Sequence, residues 1–269
     1  MDLTVLVDNN TYIDQYYLGE PAVSYYIEDK NTKILFDTGY SDIFIRNAEK
    51  MNIDLKKLDK IAISHGHNDH TLGLKYYFEE FNNSNITIVA HPDAFKEKIM
   101  NNLEIGSPIL EDELIKKCNL MLSEKPIKIS ENITLLGSIP KMNDFEKRIC
   151  FGRQLVGTQF VDDYVLEDTA LVYQNPQGIY IVTGCSHSGI CNIIEYAKKV
   201  CNEKRVLGVI GGFHLFNINE QVLKTIDYLK ANNIPALYPC HCTSLKVKAE
   251  MINKGLPVHE VGVGLKIKW

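Results

Sequence analysis

The sequence holds no run close to the roughly 18 apolar residues that a membrane-spanning helix requires. Its opening, MDLTVLVDNN, lacks the basic-then-apolar order of a secretory signal. A cytoplasmic protein with no membrane partner is therefore the expectation. Charge of one sign is not concentrated anywhere: 29 Lys and Arg stand against 34 Asp and Glu, for a net −5. Nucleic-acid binders ordinarily carry a basic face, so no nucleic-acid partner is expected. Arginine is scarce, present only at 46, 148, 153 and 205. The seven cysteines (118, 150, 185, 191, 201, 240 and 242) are an odd number, which favours reduced thiols over a disulfide framework. Cys240 and Cys242 flank His241, but no second closely spaced pair completes a zinc knuckle. What is present is an ordinary globular composition, 45% hydrophobic and 23% charged, long enough for one large core or two modest ones.

Strands and helices alternate along the chain. Strands are expected at 2–8, 22–28, 33–37, 60–64 and 86–90, with helices at 42–51, 71–81 and 92–101. Residues 102–168 pattern poorly, with strand candidates at 118–122, 126–129 and 133–136 and a polar stretch from 137 to 168. Beyond them come strands at 169–174, 178–183, 205–210, 236–238 and 263–268, and helices at 190–201, 219–232 and 244–253. An internal echo matters more than these boundaries. YYIEDKNTKILFDTG (25–39) and LVYQNPQGIYIVTG (171–184) both read strand, polar turn, strand, Thr-Gly. His65 follows Gly39 by 26 residues and His214 follows Gly184 by 30; His91 and His241 follow those histidines by 26 and 27. Two related βα halves, with their loops meeting at one edge, would produce this pattern.

The densest chemistry is SHGHNDH at 64–70. His65, His67, Asp69 and His70 put four potential metal ligands into six residues after a buried strand. Alternating imidazoles leaving a strand can aim the same way, and Gly66 gives the backbone freedom that a crowded turn needs. Neutral imidazole and carboxylate suit Zn²⁺, and also Fe or Mn. Helix capping would account for Asp69 but would leave three histidines unused.

The motif His65-Gly-His67-Asn-Asp69-His70, with FDTG at 36–39 and TGCSHSG at 183–189, resembles the metallo-β-lactamase superfamily. The resemblance spans nearly the whole chain. It implies an α+β fold, a four-layer αββα sandwich of two pseudo-repeated halves, as one domain over 1–269 with variable substrate loops at about 102–168. It also implies one or two divalent metal ions, zinc first. His65, His67 and His187 would hold one, and Asp69, His70 and His241 the other. Asp37 would orient the ligand turn, a common support for metal-bound imidazoles. IPKMNDFE (139–146), DDYVLEDTALV (162–172), GIYIVTGCSHSGICNII (178–194), GGFHL (211–215) and PCHCT (239–243) are similar to one branch. That branch is the group resembling dihydropterin-6-methyl-(ribofuranosyl)aminobenzene 5′-phosphate synthase.

One departure stands out. Many dinuclear members of the superfamily carry a bridging Asp roughly where VLGVIGGFH (206–214) falls, and here the coordinating side chain is His214. It reads as a metal ligand, as a general acid or hydrogen-bond donor to substrate, or as a structural histidine. His91 and His259 read as structural, and Cys185 and Cys191 as small buried residues. The expected chemistry is a metal-activated water attacking an ester, lactone or phosphate-type small molecule, such as a pterin or phosphate-bearing compound. Asp69 and His214 would move protons. Lys141, Arg148 and Arg153 are candidate phosphate contacts. A redox or non-catalytic metal-binding protein of the same fold is the alternative. The residues leave the oligomeric state open.

Overall fold

The computed structural model describes every residue except position 82. The first half runs β1 (Asp2–Val7), β2 (Ser24–Asp29), β3 (Thr32–Phe36), α1 (Ile43–Lys50), β4 (Lys60–Ala62), α2 (Asn68–Thr71), α3 (Gly73–Phe81) and β5 (Thr87–Ala90). The middle adds β6 (Lys98–Met100), β7 (Leu103–Glu104), α4 (Glu111–Lys117), β8 (Asn119–Leu122), β9 (Ile127–Lys128), β10 (Ile133–Leu135), β11 (Arg153–Val156) and β12 (Gln159–Asp162). The second half runs β13 (Ala170–Asn175), β14 (Gly178–Thr183), α5 (Ile190–Cys201), β15 (Val206–Gly212), α6 (Glu220–Ala231), β16 (Leu237–Cys240), α7 (Leu245–Asn253) and β17 (Lys266–Lys268).

Two large sheets result, ordered β17-β1-β2-β3-β4-β5-β8 and β16-β15-β14-β13-β10-β9. The internal echo is real in three dimensions. In each half an antiparallel hairpin (β2–β3, β13–β14) is followed by two parallel strands joined through helices (β4 and β5, β15 and β16). Parallel pairs need such crossovers, which place the helices on the outer faces. Three apolar clusters separate the layers. One, around Phe44, Leu74 and Tyr77, lies between the first sheet and its helices. Another, around Ile193, Ile226 and Met251, does the same for the second sheet. The third, with Tyr25, Phe36, Val172's neighbour Leu171 and Ile210, fills the space between the sheets. The architecture is the expected αββα sandwich.

The middle departs from expectation. Residues 92–101 are not a helix. Pro92–Phe95 form one short 3₁₀ turn, capped by the His91 ring accepting from the Asp93 amide, and β6 follows. Extension at β6 lets Gln154 and Arg153 of β11 pair with Lys98 and Ile99, and it buries the Lys98 side chain. The polar stretch 137–168 contains the β11–β12 hairpin, which with β6 and β7 makes a third, four-stranded sheet. α4 lies within the poorly patterned region and carries helix signals of its own. Its first turn carries Glu111, Asp112 and Glu113 and its last Lys116 and Lys117, as the helix dipole favours. Among the described residues, no helix is long and apolar enough to cross a membrane.

Candidate metal centre

The ligand turn begins where β4 ends. Asp37, fully buried at the end of β3 with φ +58°, anchors it: Oδ1 accepts from the Ser64 amide at 2.7 Å, and Oδ2 accepts from Ser64 Oγ at 2.7 Å. The same Oδ2 lies 2.7 Å from His70 Nδ1, which fixes that ring with Nε2 facing inward. The Asp37 role that the resemblance implies is thus visible as three contacts. Gly66 is required for space, since a Cβ there would lie 2.5 Å from the Ala94 carbonyl oxygen and 2.8 Å from Lys98 Cε. Gly184 is required for the same reason, because a Cβ would lie 2.1 Å from Ser64 Oγ. The two halves therefore touch backbone to side chain beneath the site.

The second half supplies donors from three strand ends. β14 leads to Cys185 and His187, β15 to His214, and β16 to His241 and Cys242. Ser186, His214 and His241 adopt φ of +56°, +52° and +48°, an uncommon concentration of left-handed backbone for non-glycine residues. The His241 amide donates to Asp8 Oδ1 at 2.9 Å, and its Nδ1 faces Asn9 Oδ1 at 3.2 Å.

The six expected ligands converge. Ring centroids of His65, His67 and His187 lie 4.7–5.0 Å apart, and His65 Nε2 stands 3.1 Å from His67 Nδ1. Asp69 Oδ2 lies 3.4 Å from His70 Nε2 and 3.3 Å from His241 Nε2. Between the groups sits a residue that sequence reasoning treated as packing. Cys185 Sγ is 3.2 Å from His70 Nε2 and 3.1 Å from His241 Nε2, and it shares donor clusters with His65 and His187 and with His214 and Cys242. Its signal was available in TGCSHSG, where the thiol stands two residues from His187 at the end of a buried strand. Cys242 also reaches the site, whereas Cys240 points into the inter-sheet core, 3.1 Å from the Tyr25 hydroxyl.

The donors fit a divalent cation. His67 Nε2 and His187 Nε2 are buried without a hydrogen-bond partner, which is costly unless another group takes up the lone pair. Burial, reinforced by the neighbouring imidazoles, holds His65 and His187 well below the ordinary histidine range, and His67 falls to about 4. These rings are neutral at pH 7, the form that binds metal. Burial would raise Asp69, but His70 and His241 beside it hold it well below the usual carboxylate range. Burial would lower His70, yet the Asp69 and Asp37 carboxylates raise it. Imidazole, carboxylate and thiol together suit zinc or iron better than magnesium or calcium.

His214 Nδ1 is also buried without a partner, and its ring lies 4.2 Å from that of His187. It lines a cavity of about 260 Å³ with His187, Phe151, Phe213, Phe216 and Lys147. A larger cavity, about 1000 Å³, lies behind the ligand turn against Asn68, Leu72, Phe78 and Lys98, but none of the site histidines opens into it. The smaller one meets the donors His187 and His214. The three candidate phosphate contacts are elsewhere. Lys141 pairs with Asp144 at 2.8 Å on the surface. Arg148 donates to the carbonyls of Val165 and, at 3.2 Å, Ile139. Arg153 donates to the Phe160 carbonyl within its own hairpin. The cation at the cavity is Lys147, from the same FEKRICFGRQ stretch. His91 is a structural histidine, its Nε2 2.9 Å from Ser138 Oγ, and His259 stacks on Tyr238.

Residues 18–199 match the family model of the metallo-β-lactamase superfamily. The chain is 35% identical over 255 residues to an uncharacterized protein of Methanocaldococcus jannaschii, covering 93% of each. It is also 35% identical over 228 residues to that organism's 7,8-dihydropterin-6-methyl-4-(β-D-ribofuranosyl)-aminobenzene-5′-phosphate synthase, covering 80% of this chain and 77% of the synthase. Among solved structures it is similar to Tm1679, described as a metal-dependent hydrolase of the β-lactamase superfamily. That likeness has a TM-score of 0.85 at 26% identity and covers 100% of this chain and 99% of the other. With two βα halves whose loops gather histidines at one edge, the chain belongs to the metallo-β-lactamase superfamily, in the branch it shares with that synthase.

Proposed function

We propose that this protein is a metal-dependent hydrolase acting on an ester, lactone or phosphate-type bond of a small molecule. The observation that carries it is the pair of buried, partnerless imidazole nitrogens on His67 and His187, beside a cavity that opens on His187 and His214. His65, His67 and His187 would hold one ion, and Asp69, His70, His241 and Cys185 a second, with zinc first and iron or manganese compatible. A divalent cation bound there supplies an activated water near neutral pH and polarises the bond to be broken.

The chain's own residues do the rest. Asp69, kept anionic by His70 and His241, orients the attacking water by accepting its hydrogen bond. His214, whose side chain lines the cavity beside His187, donates to the leaving oxygen. The rings of Phe151 and Phe216 lie 5.2 and 4.9 Å from the His214 ring, and Lys147 stands at the same cavity. A flat aromatic group carrying phosphate suits this lining, and the pterin and aminobenzene phosphate in the name of the synthase relative point the same way. The thiols on the second-half side favour one other reading, a metal-binding protein without turnover.

The test is a panel of aryl phosphodiesters, lactones and thioesters with zinc-loaded protein. Asp69→Ala should lower turnover of any substrate the wild type cleaves by about 10²–10⁴-fold at unchanged far-UV circular dichroism. Undiminished turnover in that variant rejects the role, and metal binding with no turnover across the panel favours the second reading.

A further inference from the structure

The segment Asp163–Thr169 leads into β13, an interior strand of the second sheet, yet it is hydrogen-bonded to the ligand turn of the first. Thr169 N donates to the Ser64 carbonyl at 2.9 Å, and Gly66 N donates to Glu167 Oε1 at 3.3 Å. One residue on, Asp168 Oδ2 accepts from the Ser188 amide at 2.9 Å and from the Ser188 hydroxyl. Adjacent carboxylates therefore hold different ligand loops: Glu167 the loop between His65 and His67, Asp168 the loop after His187. Asp163, Glu167 and Asp168 are all fully buried.

Lys98 closes the arrangement. Its Nζ lies 2.6 Å from Asp163 Oδ2 and 2.9 Å from Glu167 Oε1, all three side chains being buried, and its Cε takes space that a Cβ at Gly66 would need. Arg148 donates to two carbonyls within this segment, those of Tyr164 and Val165, and its charge favours the Asp168 carboxylate. Asp163 also receives the Val165 amide at 2.8 Å, in a turn where Val165 itself takes φ +50°. Its backbone exchanges hydrogen bonds with Phe151 and Gly152, next to the cavity ring that packs on His67 and His187.

Three buried carboxylates served by two cations are a poor source of stability, since apolar side chains of similar size would fill the space at lower cost. Directional contacts to both loops at once are what the acids offer and apolar side chains cannot. We propose that Lys98 and the segment Asp163–Thr169 form a brace that sets the spacing of the two ligand loops, with Glu167 and Asp168 as positioning residues of the metal centre. The inference rests on the metal-centre reading, and its test separates the two.

Zn²⁺ affinity by chelator competition and the visible spectrum of Co²⁺-loaded protein are measured for wild type, Glu167→Gln, Asp168→Asn and Ser188→Ala. Ile226→Val, on the buried face of α6 in the second-half core, serves as a control. Glu167→Gln and Asp168→Asn should bind Zn²⁺ about 10–100-fold more weakly and shift the Co²⁺ bands at saturation, as when the supports of ligating side chains are removed. Ser188→Ala, which leaves no charge newly unpaired, should change both in the same direction by less; it carries the test if a carboxylate variant fails to fold. The control should lose thermal stability with neither change. Spectra and affinities matching wild type in the brace variants, with only the melting temperature lowered, would overturn the proposal. A wild type that binds neither ion would refute the metal centre itself, and the brace with it.

Discussion

The two halves share a topology and divide the chemistry. The first concentrates His65, His67, Asp69 and His70 in a single turn whose start and whose His70 ring are held by one buried carboxylate, Asp37. The second spreads Cys185, His187, His214, His241 and Cys242 over three strand ends, and three of the residues there or beside them hold left-handed backbone. A turn can pre-organise several imidazoles with one anchor. Donors on separate strands have no common anchor, so each is aimed by local backbone conformation and by contacts reaching across from the other half. The comparison teaches that a repeated βα frame fixes where an edge lies, while the ligand chemistry on that edge is set half by half.

The largest expected effect breaks the first half at its anchor. Asp37→Ala strands the Ser64 amide and the His70 ring in a fully buried site, and removing one member of a buried hydrogen-bonded ion pair costs about 3–5 kcal/mol. Chelator-treated protein should lose that much in urea unfolding, and metal content after dialysis should fall toward zero. Retention of both would show that the turn is held by something else.

Acid sharpens the contrast within the first half. Burial holds His67 at about 4 in the folded chain against 6.5 for the ordinary residue. Between those values the unfolded chain binds more protons, so unfolding free energy falls as the pH falls through that window. The difference amounts to about 3 kcal/mol for His67, lost by pH 4 and fully regained above pH 6.5. His70, raised by Asp69 and Asp37, works in the opposite sense, its contribution present at low pH and lost as pH rises through its folded value. Metal-free wild type should therefore lose stability against His67→Gln on going from pH 7 to 4.5. Parallel pH profiles for the two proteins would contradict the assignment.

The smallest effect probes the second half. Cys185→Ser should weaken Zn²⁺ binding by roughly 10-fold and remove thiolate-to-metal charge-transfer absorption from the Co²⁺-loaded protein, because oxygen is a harder donor than sulfur. An unchanged charge-transfer band would assign the thiolate contact to Cys242 instead.

Much of this was legible in the sequence. The hairpin-helix-strand echo around the two Thr-Gly pairs anticipated both sheets and the edge where they meet, and SHGHNDH announced the ligand turn. α5 and β14 fall where the apolar pattern ends them, because helix and strand periodicities are local. The misses share a cause. Residues 92–101 carry helical spacing, but the buried Lys98 side chain must reach Asp163 and Glu167, and a contact 65 residues away decides the backbone. Lys141, Arg148 and Arg153 were read by their charge, yet two of them satisfy backbone carbonyls and one pairs on the surface. Nothing in a side chain's type says which partner it will find.

By itself the sequence determined the strands and helices of the two halves, their repeated order and the histidines that one turn gathers, because each of these depends on residues close together along the chain. Only the tertiary structure decided that Cys185 stands among both sets of donors, that Lys147 rather than its neighbours faces the cavity, and that Glu167 and Asp168 tie one ligand loop to the other. Those outcomes depend on which distant segments are brought within a few ångströms. Burial then makes each such contact directional, since a charge or lone pair removed from water must be met by a partner at a defined place.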